Sequence, residues 1–75
     1  MEIAPYINID PDIHHGKPVI SGARVPVSLA IGSLASGMSM EEVTTEYELT
    51  VEQLQAALAY AATLVAQTDA IPLGA

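Results

Sequence analysis

The chain divides into two stretches by its pattern of apolar and polar positions. Up to residue 26 the apolar residues come in short pairs broken by turn residues, and four of the five prolines lie here. From 27 to 68 there is no proline, and apolar residues recur at helical spacing. In the first stretch Tyr6-Ile7-Asn8-Ile9 alternates as a strand does. Asp10-Pro11-Asp12 has turn chemistry, because Asp bonds its own backbone and Pro fixes φ. Val19-Ile20 and Arg24-Val25 are two β-type pieces around Ser21-Gly22-Ala23, a hairpin-like turn. Strands this short can pair within the chain or across a dimer.

The second stretch predicts three helices. The first starts near Pro26, where a proline is tolerated in the first turn. It shows an apolar face of Val27, Leu29, Ala30, Ile31 and Leu34, and stops at Gly37. Gly32 within it costs about 1 kcal/mol relative to Ala. The second opens on Ser39-Met40-Glu41-Glu42, a capping box, with Met38 and Val43 at the positions of a hydrophobic staple. It ends around Tyr47. The third repeats the device with Thr50-Val51-Glu52-Gln53 and the staple pair Leu49 and Leu54. It runs to about Gln67, and Leu54, Leu58, Ala61, Leu64 and Val65 fall on one face beside Ala57. The tail Ile71-Pro72-Leu73-Gly74-Ala75 cannot continue a helix through Pro72. It is apolar enough to read equally as a docking segment or a frayed end.

The expected fold is therefore mainly α: a tri-helical domain of helix-turn-helix, homeodomain-like form with a short N-terminal β-arm. Its 75 residues make one domain, with the arm at 1–26, the three-helix unit at 27–68 and the tail at 69–75. A domain of this size buries only about 60% of its unfolded-chain surface. With no Cys it has neither disulfides nor thiolate zinc to support it, which leaves oligomerisation or a tightly bound partner, and a homodimer is expected.

Charge narrows the function classes. There are nine carboxylates against Lys17 and Arg24 alone, a formal net charge of −7. An acidic surface prefers a basic partner and repels phosphate. No apolar run approaches the ~20 residues of a membrane span. No basic-then-apolar leader opens the chain, which favours the cytoplasm. Helix-turn-helix spacing raises DNA binding, with Val51, Glu52, Gln53, Gln55 and Ala56 at base edges. Yet the third helix has no Lys or Arg to anchor phosphate, so nucleic acid is bound weakly or only in complex.

Catalysis finds little support. His14-His15 with Asp10 and Asp12 reads as a solvated loop and not a metal site, since adjacent residues rarely converge on one ion. No Ser stands in a nucleophile elbow, and the paired carboxylates sit where a solvated helix surface puts them. Gly16-Lys17-Pro18 lacks the earlier Gly and the Ser/Thr of a phosphate loop. No enzyme, cofactor or metal is expected.

One stretch is more specific. Ile9-Asp10-Pro11, then Gly16-Lys17-Pro18-Val19-Ile20-Ser21-Gly22-Ala23-Arg24-Val25-Pro26-Val27, resembles the signature of the domain-of-unknown-function 433 family. Leu34-Ala35-Ser36-Gly37-Met38-Ser39, Glu41-Glu42-Val43, Tyr47, Leu49-Thr50 and Ala56 to Ala62 continue the likeness. The resemblance covers roughly residues 7–62. It implies a homeodomain-like tri-helical fold behind a small β-arm, in prokaryotic proteins proposed as antitoxins to PIN-like ribonuclease toxins. It carries over no catalytic residue.

Within the motif, Gly16 and Gly22 allow backbone angles other residues resist, and Pro18 and Pro26 stiffen the path. Lys17 and Arg24 are thereby presented on a defined loop, and Arg24 can fork onto a carboxylate of its own chain or of a partner, the nine carboxylates of the chain favouring the first. The expected function is an antitoxin-type binding module whose partner-binding residues are Lys17, Arg24, Glu52, Ile71 and Leu73. The alternatives are a helix-turn-helix DNA-binding regulator, or a homo-oligomeric structural module.

Overall fold

The computed structural model describes residues 1–68. Four very short strands come first: β1 (Glu2–Ala4), β2 (Ile7–Asn8), β3 (Val19–Ile20) and β4 (Val25–Pro26). Three helices follow: α1 (Val27–Ala35), α2 (Met40–Glu46) and α3 (Val51–Gln67). A single 3₁₀ turn at His14–Gly16 interrupts the long connection between β2 and β3.

The strands form one antiparallel sheet in the order β1-β2-β3-β4, each paired with its neighbour in sequence. Ile20 is opposite Ile7 on one side and Val25 on the other. The pairing question left open by the sequence is thus answered within the chain, and the strands need no second copy to bury them. The strand Glu2–Ala4 has no counterpart in the sequence reading. What reads as an extended arm is a sheet whose Ile7 and Ile20 are wholly buried among helix residues Val27, Ala30, Val43, Leu54 and Ala57 and Leu49 of the α2–α3 turn.

Turns with left-handed residues hold the sheet together. Gly22 lies at φ 84 in the β3–β4 turn, where an L side chain is strained. Tyr6 and Arg24 take φ 63 and 55 in the two hairpin turns without being glycine. Asp12 N–H donates to Asp10 Oδ1 at 2.9 Å, the turn expected of Asp10-Pro11-Asp12. Pro26 ends β4, caps α1 without a side-chain bond, and its neighbour Val27 N–H donates to the Pro18 carbonyl.

Both capping boxes form. Ser39 Oγ accepts from Glu42 N–H at 3.0 Å, and Glu42 Oε1 accepts from Ser39 N–H at 2.9 Å. Thr50 and Gln53 reproduce the pair at 3.0 and 2.8 Å. All four staple residues enter the core or pack against it. Between α1 and α2, buried Ser33 shares a 2.8 Å hydrogen bond with the Tyr47 hydroxyl, which satisfies both polar groups inside the helical unit.

The capping box makes a pH prediction. The Glu42 carboxyl is held below the usual carboxylate range, first by the Ser39 N–H it accepts from and then by the Ser39 side chain. A depressed folded value means a contribution fully present above the unfolded value, about 4.3 for Glu. That contribution is lost as pH falls through the folded value. Urea midpoints taken from about pH 7 to about pH 3 are therefore expected to fall less steeply in Glu42→Gln than in the parent.

The apolar faces are buried over only part of their length. In α1, Leu29 is 46% exposed although it lies in the predicted apolar face. In α3 burial is complete at Leu54 and Ala57, partial through Ala61, and gone beyond it: Leu64 is 45% and Val65 73% exposed. The apolar face of α3 is thus covered over its first half and left uncovered at Leu64 and Val65. The reason is geometric: the sheet and α1 are too short to follow a 17-residue helix to its end.

Candidate functional site

The named motif residues occupy two ends of the β3–β4 hairpin. Lys17 lies just before β3, at the open end, where Pro18 accepts the Val27 N–H. Arg24 lies in the turn, at the closed end. Both are exposed, so the hairpin separates the two cations rather than gathering them. Glu52 is exposed in the first turn of α3. Ile71 and Leu73 lie outside the described residues.

Gly16 and Gly22 both take positive φ, 80 and 84. The glycine pair of the motif is thus explained by the two turns that bracket β3. A Cβ at Gly22 would make only ordinary contact with Gln53 Nε2, at 3.5 Å, so it is the positive φ that calls for glycine there.

Gln53 is the residue whose role the sequence understated. Its Oε1 accepts from Thr50 N–H, and its Nε2 donates to the Ser21 carbonyl at 3.0 Å. One side chain thereby closes the cap of α3 and ties that cap to the β3–β4 turn, bringing Arg24 and Glu52 to the same end of the molecule. Both ends of the Gln53 amide are engaged internally, which leaves Gln55 as the exposed Gln in this part of the helix.

Lys17 shares a cleft of about 360 Å³ with His14, His15, Pro26, Ser28 and Leu29. His14 and His15 are exposed and take φ 49 and 56, so a left-handed turn presents them to solvent. Among the described residues no three His, Asp or Glu side chains converge as metal ligands would.

Two further surfaces are distinctive. Glu41, Glu42, Glu46, Glu48 and Glu52 are all exposed and follow one another along α2, the α2–α3 turn and the start of α3. Residues 53–68 then carry no charged side chain at all. Clefts of about 400 and 360 Å³ flank this uncharged part of α3, and both are walled by Tyr60 and Leu64. No helix among the described residues is long and apolar enough to cross a membrane.

Comparison with known proteins places this fold. No curated protein matches the chain. A crystal structure of a DUF433 member protein from Anabaena variabilis is 30% identical, with a TM-score of 0.75 over 83% of this chain and 62% of that one. The crystal structure of Rv2018 from Mycobacterium tuberculosis is 35% identical, with a TM-score of 0.63 over 69% of this chain. This chain covers only 24% of the latter, and less than two thirds of either. The family model described as protein of unknown function (DUF433) matches residues 7–61, which takes in the whole glycine-proline hairpin, both capping boxes and most of α3; the chain belongs to that family.

Proposed function

We propose that this chain is a protein-binding module of antitoxin type, acting in the cytoplasm by occupying a PIN-like ribonuclease and not by catalysis. The helix pair α2–α3 then serves as a helix-turn-helix of the homeodomain-like kind, used as a protein surface. The resemblance supplies the partner class, and the row of exposed carboxylates from Glu41 to Glu52 carries the argument on this chain. A ribonuclease binds RNA with a basic rim. Five carboxylates on consecutive elements match such a rim, and electrostatic attraction raises the encounter rate.

Glu46→Lys combined with Glu52→Lys is expected to lower the association rate with that nuclease by about tenfold or more, and to flatten its salt dependence. A tagged chain should first recover the nuclease from host lysate in stoichiometric amount. Recovery of no nuclease would sink the partner class. Indifference to both substitutions and to salt would sink the electrostatic mechanism. The DNA-regulator reading is separated by a promoter fragment: a steeply salt-dependent shift by the isolated chain favours it.

A further inference from the structure

We draw no further inference here: the strongest candidate, the open cleft at the start of α1 where Lys17 meets His14 and His15, rests on exposed basic side chains beside a helix N-terminus, and nothing in the structure points to a ligand there.

Discussion

Replacing Ile20 by alanine is expected to remove about half of the stability of this domain. Ile20 is fully buried on β3, with Ile7 opposite it on β2 and Val25 opposite it on β4. The substitution deletes three carbons from the centre of the sheet and leaves a cavity that two-residue strands cannot collapse to fill. Ile→Ala at such sites costs about 2–5 kcal/mol. At the usual ~0.05–0.15 kcal/mol per residue, a chain of this length has about 4–11 kcal/mol in total. At the middle of both ranges that is about half of the total. Urea unfolding followed by helical circular dichroism should show a large fall in midpoint with little change in slope. The readout is deliberate, because it observes the helices while the lesion is in the sheet. If residues 1–26 were an appendage to an independent three-helix unit, the helical signal would hardly change.

That contrast locates what was legible in the sequence. The two capping boxes were legible because each is a local event within four residues, Ser39 to Glu42 and Thr50 to Gln53. Helix ends therefore follow from the sequence closely: Gly37 at φ 111 sits just past α1, and α3 ends at Gln67. The sheet was only half legible. Alternation needs about four to eight residues to declare itself, and no strand here exceeds three. The turn at Tyr6 has no glycine to mark its positive φ, so β1 left no trace.

The surface was legible in charge and not in cover. Periodicity finds the apolar face of α3, but it cannot say where the rest of the chain stops covering it. That is why Leu64 and Val65 share a face with Leu54 in the sequence and yet stand exposed. Lys17 and Arg24 read as one basic loop for a related reason. Seven residues apart looks close, until pairing of Val19 with Pro26 and Ile20 with Val25 puts them at opposite ends of a hairpin.

Gln53 shows the same limit from the other side, and its substitution should be damaging although it is not a core residue. As a capping residue it is legible; as the tie between α3 and the β3–β4 turn it is not, because the bond to Ser21 spans 32 positions. Gln53→Ala removes the acceptor for Thr50 N–H and the donor to the Ser21 carbonyl together. Loss of a cap costs about 0.5–2 kcal/mol. An unpaired, partly buried carbonyl adds about 1–3 kcal/mol. A combined loss of about 2–4 kcal/mol is expected in urea unfolding. Gln53→Glu divides it: the carboxylate still accepts from Thr50 N–H, but it cannot donate to Ser21 and faces that carbonyl with a negative charge. If the tie matters, Gln53→Glu should lose much of what Gln53→Ala loses at neutral pH. It should also recover in part below its own titration, where the protonated acid can donate again. If only the cap matters, Gln53→Glu should match the parent at neutral pH and show no recovery on acidification. Native-state hydrogen exchange would then locate the damage. Loss of the tie should speed exchange at Ala23 and Arg24, whose N–H groups donate to the Ile20 carbonyl across the turn, before it reaches the middle of α3.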